Sequence, residues 1–205
     1  MPDNCCAHEL TFTPEQHQSI KKVLWVVFAI NLSMFFIEIG AGLIARSSTL
    51  TADSLDMLAD AFVYGLSLYV LKQSQHMKAR ASLLKGVLMS SLGLYVIVDS
   101  FFKIYHPVIP VGATISIIGV LALIANLISF ALLSRHKNRD INMKSAWICS
   151  RNDVTTNIVV IIAGFFVIYF NSMWPDIIVG LGMSFIVLHS SLQIVRESWQ
   201  QSHVS

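Results

Sequence analysis

Four residues have the types and spacing that metal chemistry requires: Asp56 and Asp60, then Cys149 and Asp153. Each pair is spaced i, i+4, so its members share one face of a helix. Carboxylates and a thiolate together can close a tetrahedral shell around zinc or a neighbouring divalent ion. Both pairs lie inside stretches apolar enough to cross a bilayer. An aspartate near the bilayer centre costs about 2.5–3.5 kcal/mol, and three cost about 9 kcal/mol on the same scale, unless a cation, a proton or a water-filled path compensates. Asp56 and Asp60 also repel at this spacing unless something positive lies between them. Taken alone, Cys149 reads more readily as a small buried hydrophobe, and its spacing from Asp153 brings the ligand reading level with that one.

The elements that must position these side chains are long apolar helices. Of the 205 residues, 55% are hydrophobic and only 13% are charged, where soluble domains carry about 25%. The fold class expected is all-α, a polytopic membrane protein built as a six-helix transmembrane bundle. Six mostly apolar runs meet the bilayer-length criterion, at about residues 22–45, 51–71, 83–104, 111–134, 146–170 and 175–195. The resulting division is a cytoplasmic N-terminal tail over residues 1–20, a six-span domain over 21–197 and a short C-terminal tail over 198–205.

Charge orients the bundle. Lys21, Lys22, Lys72, Lys78, Arg80, Lys85, Arg135, Lys137, Arg139, Lys144 and Arg196 flank one side, against Arg46 and Lys103 on the other. The positive-inside rule therefore puts both termini in the cytoplasm, in the inner membrane if the cell is bacterial. A net charge of +2 gives no reason to expect a nucleic-acid partner. Cys5, Cys6 and Cys149 do not make a disulfide framework. The polar first 20 residues do not read as a signal peptide.

The remaining polar residues carry competing readings. Asp53 suits a helix N-cap or first turn as well as it suits a functional role. Glu38 and Asp99 would relay protons, or be satisfied by partners such as Asn126 or Lys103. Asp176, after Pro175, reads as the cap of its own helix. Arg151 would pair with Asp99 or reach the headgroups. Asn31, Asn126 and Asn157 are expected to hydrogen-bond between helices. Gly40 and Gly42, Gly86 and Gly93, and Gly180 and Gly182 are expected to let helices approach closely. Cys5, Cys6 and His8 form a weak cluster that would receive a metal ion.

At Ser48–Asp60, Lys78–Gly86 and Asn142–Asp153 the chain resembles the cation diffusion facilitators, a family of divalent-metal/proton antiporters, and the resemblance covers nearly all of residues 20–197. It implies a transport site made from a (His or Asp)-xxx-Asp pair in span two and a similar pair in span five. Asp56 and Asp60 match the first pair fully, and Asp153 matches half of the second. Cys149 stands where other members usually have His or Asp. Members also commonly carry a cytoplasmic metal-binding domain after span six that helps them dimerise. This chain is expected to be a short form without that domain, and a homodimer is implied by the family alone.

The expectation for function is a secondary transporter, not an enzyme. It would export a divalent metal cation, zinc foremost, with cobalt, cadmium, iron and manganese as alternatives, in exchange for protons. Metal binding would be linked to proton release, because ligands must be deprotonated to bind. The sequence has no P-loop to draw energy from a nucleotide. The rival from another class is a membrane metal-binding partner or sensor that transports nothing. An intramembrane enzyme with Cys149 as nucleophile is the weaker third, since no histidine stands at base spacing and neither HExxH nor GxSxG occurs.

Overall fold

A computed structural model describes residues 17–70, 75–134 and 141–203, with side chains outside the description at 17–20, 67, 69–70, 75–82, 141–149 and 197–203. Cys5, Cys6, His8 and His136 thus lie outside the described residues, as do the side chains of His76 and Cys149. The chain folds into α1 (His17–Ala45), α2 (Ser48–Val70), α3 (Gln75–Tyr105), α4 (Gly112–Ser134), α5 (Ile141–Phe170) and α6 (Trp174–His203).

Five of these helices, α1, α3, α4, α5 and α6, are long and apolar enough to cross a membrane. The sixth, α2, has 23 residues, about 35 Å of helix, which exceeds a hydrocarbon core of about 30 Å. It carries Asp53, Asp56 and Asp60, and the bundle shields them: α2 touches all five other helices. The pattern of burial is inverted relative to a soluble bundle. Asn31, Glu38, Asp53, Ser54, Asn126 and Asn157 are buried, whereas Phe36, Ile44, Ile117 and Ile186 face outward. Only a hydrocarbon solvent makes that arrangement favourable.

The pairs α1–α2, α4–α5 and α3–α6 pack most extensively. Tight helix ends set up two of the hairpin turns. At the end of α1, Arg46 adopts a left-handed φ of 53°, and the Ser47 N–H donates to the Gly42 carbonyl at 2.9 Å. Asn171 repeats the device after α5, with φ 45° and the Ser172 N–H donating to the Val167 carbonyl at 3.3 Å. Both are Schellman-type stops that satisfy otherwise orphaned carbonyls.

Close approach falls at particular glycines only. A Cβ on Gly180 would sit 2.7 Å from the Ser48 carbonyl carbon and 2.8 Å from the Thr49 nitrogen. On Gly164 it would sit 2.8 Å from the Ser116 nitrogen, against a helix that itself presents Gly112. Gly40 and Gly182 face open space, so the small-residue reading fails at those two positions. Because the obstacle at Gly180 is backbone, Gly180→Ala is expected to push α6 off α2 at a cost of about 1–3 kcal/mol. Gly182→Ala serves as a near-neutral control in the same thermal-unfolding measurement.

Candidate metal centre

The depth of the acids on α2 is set at its N-terminus, where two serines, two threonines and a neighbouring helix converge. Ser47 is the N-cap: its Oγ accepts from the Leu50 N–H at 3.1 Å. Asp176 then caps α2 from outside. Its carboxylate accepts from the Ser47 hydroxyl at 2.5 Å, the Ser48 N–H at 2.8 Å and the Thr49 N–H at 3.1 Å. The Thr49 hydroxyl returns a bond to the Asp176 carbonyl at 2.8 Å. This corrects the sequence reading twice. Asp176 sits in the first turn of α6 yet serves the free N–H groups of α2, and Asp53 lies beyond the capping turn as a buried acid.

From α3, Lys103 donates to Ser48 Oγ at 3.0 Å and pairs with Asp99 at 2.5 Å. Asp99 therefore takes the Lys103 partner. The result is one polar knot joining the start of α2 to α3 and α6.

Below the knot, α2 and α5 run antiparallel. Leu50 packs with Val160 and Val167 in one buried cluster, and about two turns further along α2 the Asp56 side chain hydrogen-bonds Asp153 of α5. Asp153 is 9% exposed. Asp60 lies one turn further along α2 and is partly buried. Cys149 lies on α5 one turn from Asp153. The structure thus brings Asp56 and Asp153 together, while among the described residues no three His, Cys, Asp or Glu side chains are grouped closely enough to hold a metal ion.

Two further acids extend from Asp56 toward the knot. Glu38 of α1 is fully buried, with neither carboxyl oxygen hydrogen-bonded among the described residues. Asp53 is 1% exposed, and one of its oxygens is likewise without a hydrogen bond. Glu38, Asp53 and Asp56 lie within electrostatic range of one another. Asn157, one turn from Asp153, has both side-chain polar atoms unbonded among the described residues. Asn31 donates at 2.9 Å to the Val27 carbonyl of its own helix, so it does not supply the interhelical bond expected of it.

Sequence reasoning counted Lys85 with the flanking cations. It is 6% exposed and lies inside the candidate span of α3, in electrostatic range of Asp56. Its signal was available: the lysine follows Leu83 and Leu84 and precedes Gly86-Val87-Leu88, inside the apolar run.

Fold and site together define a class, a polytopic helical membrane protein whose central helix presents acids to a neighbour inside the bundle. Within that class the chain belongs to the cation efflux family, whose transmembrane domain matches residues 24–201. It is similar to the cadmium, cobalt and zinc/H(+)-K(+) antiporter of Bacillus velezensis, 26% identical over 196 residues, covering 88% of this chain and 62% of that protein. The zinc transporter ZitB of Pectobacterium atrosepticum is 23% identical over 190 residues, covering 86% of this chain and 59% of the relative. The metal cation efflux system protein CzcD of Cupriavidus metallidurans is 21% identical over 196 residues, with 86% and 62% covered. The chain therefore spans about three-fifths of the length of these relatives.

Proposed function

We propose that this chain carries a divalent metal cation of the zinc class out of the cytoplasm in exchange for protons. The observation that supports this reading best is the Asp56–Asp153 hydrogen bond across α2 and α5. A proton held between two carboxyls is displaced when a dication binds both, so loading cargo releases the proton. Asp60 and Cys149, one turn along their helices, are the residues proposed to complete a four-ligand shell of three oxygens and one sulfur. Protonation from the opposite side then ejects the ion. Glu38 and Asp53 are the buried acids proposed to pass protons between Asp56 and that side.

The two access states differ by movement of α3 and α6 against the other helices, around a site near the bilayer midplane. Among the described residues α3 packs on α2 and α6 alone. The relatives named for zinc, cadmium and cobalt support the class of cargo. The basic residues around residues 72–85 and 135–144 support cytoplasmic termini.

The test is zinc uptake into inverted vesicles. Uptake is expected to follow an imposed pH gradient, acid inside, and to stop when an ionophore collapses it. Zinc binding with no flux under any gradient would overturn transport and return the sensor reading.

A further inference from the structure

We infer that Asn31, Ser129 and Ser150 form an inner binding pocket that holds the divalent cargo through part of its water shell. That the guest is a divalent cation rests on the function proposed above. The pocket itself rests on helix packing and on three buried oxygens that lack partners.

Packing fixes the level of each residue. On α1, Val27, Asn31 and Met34 follow at steps of four and three residues and so share a face. Val27 packs in one buried cluster with Tyr64 of α2 and Leu133 of α4. Met34 packs in another with Met57 of α2 and with Ala122 and Ala125 of α4. Asn31 therefore lies between those levels, beside the turns of α2 that carry Asp60 and the turns of α4 that carry Ser129.

The α4–α5 seam brings in Ser150. A Cβ on Gly119 of α4 would sit 3.2 Å from Val160 of α5, and one on Gly112 would sit 3.1 Å from Val167. From Gly119, steps of three, four and three residues reach the buried Ala122, Asn126 and Ser129. The same steps back from Val160 reach Asn157, Asp153 and Ser150, all buried too. Ser129 and Ser150 thus come level across the seam, one turn from Asp153 toward the basic end of the bundle.

The oxygens in this pocket are orphaned. Asn31 Nδ2 donates to the Val27 carbonyl at 2.9 Å, which leaves Oδ1 as an acceptor with no donor among the described residues. The hydroxyls of Ser129 and Ser150 are likewise unbonded there, and none of the three residues is more than 2% exposed. Each such group costs about 1–3 kcal/mol, and an apolar side chain of similar shape would remove the cost. A guest that brings donors also removes it. Water on a dication turns its hydrogens away from the ion, toward these acceptors, and a water bridge is nearly as good as a direct bond. Neutral oxygens add no negative charge, so they hold the ion less tightly than Asp56, Asp60 and Asp153 do. The pocket is a way station on the inner side of the carboxylates.

The experiment uses the full chain in lipid nanodiscs. Thermal unfolding is measured without metal and across a zinc titration for the wild type, Asn31→Leu and Ser129→Ala. Without metal, both variants are expected to unfold at or above the wild-type Tm, because each deletes an orphaned oxygen. Asn31→Leu is expected to bind zinc about tenfold more weakly, a change of about 1.4 kcal/mol, and Ser129→Ala about threefold more weakly. Both then gain less stability from a given zinc concentration. A purely structural role, or a pocket filled by plain water, gives the reverse: a lower metal-free Tm and an unchanged zinc affinity. That pattern, or wild-type zinc affinity in both variants, would overturn the pocket. If zinc does not stabilise the wild type, the metal-binding reading falls and the pocket falls with it. If zinc binds, the variants weaken it and no flux occurs, the pocket stands and transport alone is rejected.

Discussion

Asp153→Asn is expected to lower zinc uptake into vesicles at least about a hundredfold while leaving the protein folded. Asparagine keeps the volume and one acceptor oxygen, so the hydrogen bond with Asp56 survives in altered form. What disappears is a negative charge and a proton that can leave. An amide oxygen is a poor substitute for a carboxylate facing a dication. Each tenfold in affinity is 1.4 kcal/mol, so a hundredfold loss corresponds to about 2.8 kcal/mol of lost charge interaction, a modest figure for a site inside a bundle. Asp60→Asn is expected to behave in the same way. The checks are initial uptake rates at zinc concentrations well below those that saturate the wild type, with intact folding confirmed by an unchanged elution volume and thermal transition. Uptake at wild-type rates by both variants would reject the site.

The second large effect concerns stability. Asp176→Ala is expected to destabilise the bundle by about 3 kcal/mol or more. The carboxylate accepts from one hydroxyl and two backbone N–H groups at the start of α2. Leaving a buried donor unsatisfied costs about 1–3 kcal/mol. No water replaces the lost bonds cheaply, because Ser47, Ser48 and Thr49 are all fully buried. The N-terminal partial positive charge of α2 loses its anion as well. Asp176→Asn is expected to cost about half as much, since its oxygen still accepts while the negative charge is lost. Thermal unfolding in nanodiscs measures both. A frayed α2 also loses its depth relative to α5, so Asp176→Ala is expected to reduce uptake beyond what its folded fraction explains. A loss of uptake no greater than the loss of folded protein would confine Asp176 to stability.

Much of the architecture was legible before any coordinates. The spans at 22–45, 83–104, 146–170 and 175–195 fall within α1, α3, α5 and α6, and 111–134 matches α4 to within one residue, because length and apolarity are properties of each segment by itself. The helix α2 was found by the same reading despite three aspartates, since its apolar residues still reach across a bilayer. The opposition of Asp56 and Asp153 could be anticipated because i, i+4 spacing and alternating span direction are both local rules. Partnerships between segments were not legible. Asp176 looked like a cap for the helix it begins, and nothing in Trp174-Pro175-Asp176 says that α2 starts beside it. Asn31 looked interhelical and bonds its own helix. Gly40 and Gly42 are indistinguishable in sequence, yet only Gly42 is pressed, with a Cβ there meeting the Thr51 nitrogen at 3.0 Å.

By itself, then, the order of residues determined how many helices there are, that they belong in lipid, and which acids share a face. These follow from hydropathy and from the 3.6-residue turn, which act within a segment. The tertiary structure alone decided that α2 occupies the centre, that Asp176 serves a foreign helix end, and that Lys85 is buried while Leu84 and Val87 face outward. Those outcomes depend on the rotation of each helix about its axis, and packing against other helices sets that rotation.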